Sequence, residues 1–188
     1  MRRNITGWMT AAIVALFCAL SHAGEGSALF IDEEGKGDSA PDFTLEDYAT
    51  AGQVSLGSYL GKKVVMLEFW ATWCDICKEE IPALVKIQND WKDKNFQILA
   101  ITLSPGDPGD RKKIQKQVEK HGINYPLLLD TEYKVAQELY KLKGPIPLKL
   151  IIDCAGKLRK EYVGDAMSKD DGFIFMLEAL TQEPSCGK

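Results

Sequence analysis

Phe69-Trp70-Ala71-Thr72-Trp73-Cys74-Asp75-Ile76-Cys77 joins two kinds of sequence. The apolar run Val64-Val65-Met66-Leu67 leads in, and the polar, helix-forming Lys78-Glu79-Glu80 leads out. Two cysteines three residues apart therefore fall where a strand gives way to a helix. A helix start carries unpaired backbone N–H groups and a partial positive charge. A thiolate is stabilised there, so Cys74 is expected to ionise more readily than a free cysteine. Spacing of three brings Cys77 onto the same helix face, close enough for a disulfide. Cys74 then reads as the exposed attacking thiolate and Cys77 as the resolving one.

A bare C-x-x-C is also half of a zinc site. Structural zinc needs four ligands. Cys154 and Cys186 stand apart, and the histidines are His22 and His121 only, so neither zinc nor another cofactor is expected. A purely structural disulfide at the pair stays open as a second reading.

Phe-Trp-Ala-Thr-Trp-Cys-x-x-Cys resembles the active site of the thioredoxin superfamily, most closely its secreted TlpA/ResA-like thiol–disulfide oxidoreductases. Pro82 matches the helix-bending proline of thioredoxins. Glu68 matches the buried acid that handles the resolving cysteine's proton. Pro41-x-Phe43-x-Leu45, a leucine-containing strand at Val54-Ser55-Leu56, and Tyr59-Leu60-Gly61-Lys62 resemble the opening of TlpA-like and peroxiredoxin-like proteins. The resemblance spans about Pro41 to Leu180. It implies an α/β, thioredoxin-like fold: a central mixed sheet flanked by helices, an N-terminal hairpin and a helix–strand insertion over Arg111 to Asp130.

The 188 residues suffice for one domain plus extensions, and 45% hydrophobic content supplies a core. A formal net charge of −4 argues against nucleic acid or an anionic membrane as partner. Residues 1–23 read as an export signal: Arg2 and Arg3, an apolar stretch from Ala11 to Leu20, and a small-residue cleavage pattern at Ser21-His22-Ala23. The stretch is short for a spanning helix, although Ile5 to Met9 could lengthen it into an anchor. Phe17 is too bulky for the position before a lipidated cysteine, so Cys18 belongs with the discarded peptide. Export implies a periplasmic or cell-envelope location, where the four remaining cysteines can form two disulfides.

In chain order, residues 24–40 read as a mobile lead-in, 41–183 as the domain and 184–188 as a tail. Val64 to Trp70 suits a central strand covered on both faces, broken only by Glu68. Cys74 to Trp91 has helical spacing at Ile81, Leu84, Val85 and Gln88, with Pro82 bending it. Phe96 to Leu103 is the next strand and Ser104 to Asp110 a loop. Arg111 to His121 is a helix with Ile114 and Val118 inward, its lysines forming a solvated face. Ile123 to Leu129 is a strand. Thr131 caps a helix through Tyr140 with Val135, Ala136 and Leu139 inward. Leu148 to Asp153 and Leu158 to Val163 form a hairpin, and Lys169 to Thr181 is a final helix.

Lys143-Gly144-Pro145-Ile146-Pro147 is the second informative stretch. In thioredoxin-fold enzymes a cis proline opens the following strand, packs against the cysteine pair and borders the incoming peptide. Pro147, with Ile146 before it, matches that position, and an X-Pro bond adopts cis at modest cost. An ordinary trans turn is the competing reading. The family usually follows this proline with two threonines, whereas Leu148 and Lys149 stand here.

Glu68 is the first candidate to accept the proton of Cys77. A carboxylate within an apolar strand loses hydration and its pKa rises toward neutrality; a sheet-edge position reaching solvent is the alternative. Glu80, one turn beyond Cys77, is the second candidate. Trp73 is expected to shield the disulfide. Asp75 and the nearby glutamates oppose a thiolate at Cys74, which points to a reductant, since strong oxidants of this fold stabilise their reduced form. The resemblance implies disulfide-bearing exported proteins as substrates, apocytochrome c among them, and an upstream thiol donor, in the membrane or outside it. Cys154 lies at the far end of the strand that Pro147 opens, and Cys186 follows the last helix back to that end, so a structural Cys154–Cys186 disulfide is expected, with two unpaired thiols as the alternative. A peroxiredoxin-type peroxidase would want Thr-x-x-Cys, but Thr72 is two before Cys74. A copper-carrying thioredoxin-fold module would want wider cysteine spacing and a nearby histidine.

Overall fold

The computed structural model describes residues 37–103 and 108–187. The export-signal, anchor and Cys18 readings of residues 1–23 lie outside the described residues, as do 24–36 and 104–107.

A seven-stranded mixed sheet organises the chain, in the order β2-β1-β5-β4-β3-β6-β7. Its strands are β1 (Thr44–Asp47), β2 (Gln53–Ser55), β3 (Val64–Trp70), β4 (Phe96–Leu103), β5 (Leu127–Asp130), β6 (Leu148–Ile152) and β7 (Leu158–Val163). The apolar run read as a central strand is β3. All its residues are buried; it pairs parallel with β4 and antiparallel with β6. Burying each Leu, Val or Phe side chain there contributes roughly 1.5–3 kcal/mol. The expected N-terminal hairpin is β1–β2, and β1 joins the sheet through antiparallel pairing with β5.

Helix α1 (Asp75–Trp91) lays Cys77, Ile81, Leu84, Gln88 and Trp91 against the sheet. Pro82 lies within it and faces solvent, and the helix continues through it. Helix α2 (Pro108–His121) starts three residues before the expected Arg111. Proline suits a first helical position, because its missing N–H would be unpaired there anyway. Among the described side chains of α2, Asp110, Ile114 and Gln117 are buried, whereas Val118 is only half-buried. The strand expected from Ile123 begins at Leu127, because Pro126 has no N–H for the ladder and only its carbonyl pairs, accepting from Ala100.

Three further expectations are corrected. Thr131 does not cap the next segment, which is a short π-helical turn over Lys134–Leu139. The Asp130 carboxylate does so instead, accepting from the backbone N–H of Val135 and Ala136, across a left-handed Tyr133 at φ 57°. Val135 and Ala136 point inward, but Leu139 is exposed, since the wider π turn rotates it off the buried face. The final helix is split into a 3₁₀ turn, Ala166–Lys169, and α3, Phe173–Thr181. Between them the Asp170 side chain accepts from the Gly172 N–H and from the Tyr162 hydroxyl, which gives the chain a local alternative to continuous helix. The lead-in is not loose to its end: Gly37, Asp38 and Ala40 hydrogen-bond to the backbone of Gly156 and Leu158.

Candidate active site

The site is built where β3 hands over to α1. Cys74 is the N-cap of α1, with extended backbone at φ −85° and ψ 106°. Its Sγ accepts from the Cys77 N–H at 3.2 Å. One of the unpaired donors at the helix start is therefore spent on this sulfur, which is the arrangement that stabilises a thiolate. The two sulfurs are joined, with S–S 2.09 Å and Cα–Cα 5.3 Å. Cys77 has no solvent exposure, and Cys74 retains 7%. Cys74 is thus the reachable member of the pair, but it is not the openly exposed residue expected. The loop before β6 covers it: the Ile146 carbonyl oxygen lies 3.7 Å from Cys74 Sγ. The Ile146–Pro147 peptide bond is cis, with Pro147 buried and Ile146 half-buried.

Apolar surface flanks the entrance. Trp73 is 66% exposed and Ile76 51% exposed, large values for such side chains. Trp73 therefore stands out into solvent beside the disulfide. Thr72 is buried, and its hydroxyl meets the Asp110 carboxylate at the start of α2. Asp75 is exposed and paired with Lys78 at 2.6 Å. That pairing holds the Asp75 carboxyl below its ordinary range and offsets the charge that would oppose a thiolate at Cys74.

Behind the cysteines lies a buried ionic cluster. Glu68 sits in the middle of the sheet, opposite Ala100 on one side and Lys149 on the other. It is buried, and its Oε1 has no hydrogen-bond partner among the described residues. Loss of hydration pushes its pKa up to about 8; the Lys149 ammonium pulls it down, and the Glu80 carboxylate adds to the rise. The sheet-edge alternative therefore gives way to a carboxyl poised near neutrality. Glu80 is tied to Lys149, whose Nζ donates to its Oε2 at 2.6 Å. Tyr125, just before β5, is buried within the electrostatic reach of Glu68, and its hydroxyl is pushed well above the ordinary tyrosine range, chiefly by burial.

The structure thus brings Cys74, Cys77, Trp73, Ile146 and Pro147 to one end of the sheet, while Glu68 and Glu80 share the buried cluster around Lys149, Glu80 lying one turn beyond Cys77 on α1. Cys154 and Cys186 are at the opposite end, with their sulfurs 1.93 Å apart. Sequence reasoning missed the partnership of Lys149 with the two glutamates. Its one signal was a lysine in an otherwise apolar strand.

Residues 36–161 match the AhpC/TSA family. The chain belongs to that family of thioredoxin-like proteins. It is 31% identical over 158 residues to the thiol-disulfide oxidoreductase ResA of Bacillus subtilis, covering 82% of this chain and 83% of that protein. It is 34% identical over 143 residues to ResA of Oceanobacillus iheyensis, covering 73% and 70%. Among solved structures, a thiol:disulfide interchange protein from a Bacteroides species superposes with a TM-score of 0.62 at 26% identity, covering 79% of this chain and 91% of that one. The chain is a ResA-like thiol–disulfide oxidoreductase of the thioredoxin superfamily, with the α/β architecture expected of one.

Proposed function

We propose that the enzyme reduces disulfides of exported proteins, with Cys74 as nucleophile and Cys77 as resolving thiol. The observation that carries this reading is the placement of Cys74 Sγ at the cap of α1 beside the Ile146 carbonyl, while Cys77 is fully enclosed. In the reduced enzyme the Cys74 thiolate attacks one sulfur of a substrate disulfide; the other sulfur departs and is protonated. Cys77 then passes its proton to Glu68, attacks Cys74 Sγ and expels the second substrate thiolate. The substrate gains two thiols as the enzyme pair becomes a disulfide, which an upstream thiol donor reduces again. Trp73, Ile146 and Pro147 form the seat for the incoming peptide: an exposed ring and a backbone carbonyl next to the reacting sulfur.

The direction rests mainly on Glu68. Lys78 compensates Asp75 and Lys149 compensates Glu80, so the charge left to oppose a thiolate at the pair is that of Glu68 once it loses its proton, near pH 8. A dithiol whose thiolate is not strongly stabilised is the better reductant. We further propose export through residues 1–23 into an oxidising compartment, apocytochrome c among the substrates, and a structural role for Cys154–Cys186.

The test is Cys77→Ser expressed in the native host. It should accumulate mixed disulfides on Cys74, and the trapped proteins should be exported ones. The reduction potential of the wild type should lie near that of thioredoxin, about −270 mV; a value near that of DsbA, about −120 mV, would overturn the reductant assignment.

A further inference from the structure

Lys149 is fully buried and ion-paired. It stands opposite Glu68 across the β3–β6 ladder. Its Nζ donates to Glu80 Oε2 at 2.6 Å and to the Gly164 carbonyl at 3.1 Å. The same short stretch, Ile146 to Lys149, therefore presents a carbonyl to Cys74 and an ammonium to the carboxylate one turn beyond Cys77. One buried cation faces two carboxylates, and it has bonded to only one of them.

We propose that Lys149 is a positioning residue that holds Glu80 as its fixed counter-ion and thereby leaves Glu68 to carry the proton exchanged with Cys77. This rests on the oxidoreductase reading above, in which Cys77 must lose a proton to resolve the mixed disulfide. Breaking a buried pair leaves an uncompensated charge, so Lys149 and Glu80 hold each other in place. Glu68 has the cation near but no bond to it, so it can take a proton and release it. The other groups facing the cluster are Glu80 from α1, one turn beyond Cys77, Tyr125 from the approach to β5, and Asp165 beyond β7. Tyr125 is neutral at working pH. Asp165 is exposed and paired with Lys169, so solvent screens its pull on Lys149. Lys149 eases ionisation of Glu68 and Glu80 hinders it. Removing either should therefore move the proton-transfer step in opposite directions.

The experiment is single-turnover release of thiol from a mixed disulfide between Cys74 and a peptide thiol, measured against pH in wild type, Lys149→Met and Glu80→Gln. In the wild type, release should rise with pH as Glu68 ionises. In Lys149→Met that rise should shift to higher pH by about one unit, so release at pH 7 falls about tenfold and recovers in alkali. In Glu80→Gln the freed ammonium turns to Glu68, and the rise should shift to lower pH. An unmoved rise in both variants, shifts in the same direction, or a Lys149→Met rate depressed equally at every pH would overturn the proposal. Should Lys149→Met fail to fold, Glu80→Gln decides alone: an acid shift supports the proposal, and no shift or an alkaline one refutes it. Wild type that shows no release dependent on Cys77 would sink the oxidoreductase reading and this proposal together. Wild type that releases normally beside unmoved variants would sink only the role of Lys149.

Discussion

Two disulfides close the two ends of one sheet, and their surroundings differ in every respect that governs reactivity. Cys74–Cys77 sits at the head of a seventeen-residue helix, with a sulfur accepting a backbone N–H and a carboxyl of raised pKa below it. Cys154–Cys186 ties the β6–β7 turn to the C-terminal tail across 32 residues of sequence. Around the tail, Arg159 bridges Asp153 at 2.9 Å and Glu183 at 2.8 Å. These contacts hold the tail down; among the helix caps of the described residues, neither sulfur is one. The same covalent bond is a candidate reagent at one end and a staple at the other, and what separates them is the local field and the supply of a proton acceptor.

The comparison breaks most visibly on deletion of each pair. Cys74→Ser should abolish reduction of a peptide disulfide, a loss of more than about a thousandfold, as expected when a covalent nucleophile is removed. Activity surviving that change would mean the wrong sulfur has been assigned. The C154S/C186S double variant should keep its activity within about twofold and lose about 3–4 kcal/mol of stability, the chain-entropy cost of opening a loop of this length. Urea unfolding beside the reductase assay reads both at once.

The buried carboxyl sharpens the contrast through pH. Folded Glu68 holds its proton up to about pH 8, whereas the unfolded group releases it near its ordinary value of 4.5. The unfolded chain therefore binds fewer protons in between, and stability should fall as pH rises through that window. The full loss is on the order of 5 kcal/mol at alkaline pH. Glu68→Gln should flatten this dependence and make the protein more stable than wild type above pH 8, while slowing resolution by Cys77. Parallel pH–stability curves for the two proteins would remove Glu68 from the account.

The smallest effects belong to the exposed pair at the start of α1. Asp75→Asn should lower the Cys74 thiol pKa and Lys78→Met should raise it, each by less than about one unit, because solvent screens both charges. Thiol titration of the reduced variants measures this directly.

Much of this was legible in the sequence. The apolar run before the cysteines fixed β3 to the residue, and the Cys-x-x-Cys spacing placed the pair on one face of α1. Pro147 marked the loop that meets Cys74. Elsewhere local signals misled for physical reasons. Thr131 looked like a cap, but the Asp130 carboxylate reaches the backbone across a left-handed Tyr133 and does that work. The last helix pattern hid a break, because Asp170 bonds locally to Gly172 and Tyr162. Lys149 was visible only as a lysine in an apolar strand, where the family usually has threonine. That its charge is buried against Glu80 is a tertiary fact, set by three strands and a helix meeting, and no local pattern encodes it.

The most direct measurement is the pH dependence of alkylation of the fully reduced, folded protein, resolved cysteine by cysteine by mass spectrometry. Cys74 should react first, with a midpoint below the roughly 8.5 of a free thiol, while Cys77 stays unmodified and Cys186 reacts more slowly than Cys74. A Cys74 midpoint at or above that of a free thiol, or faster reaction at Cys186, would contradict the claim that the helix start makes this sulfur the reagent.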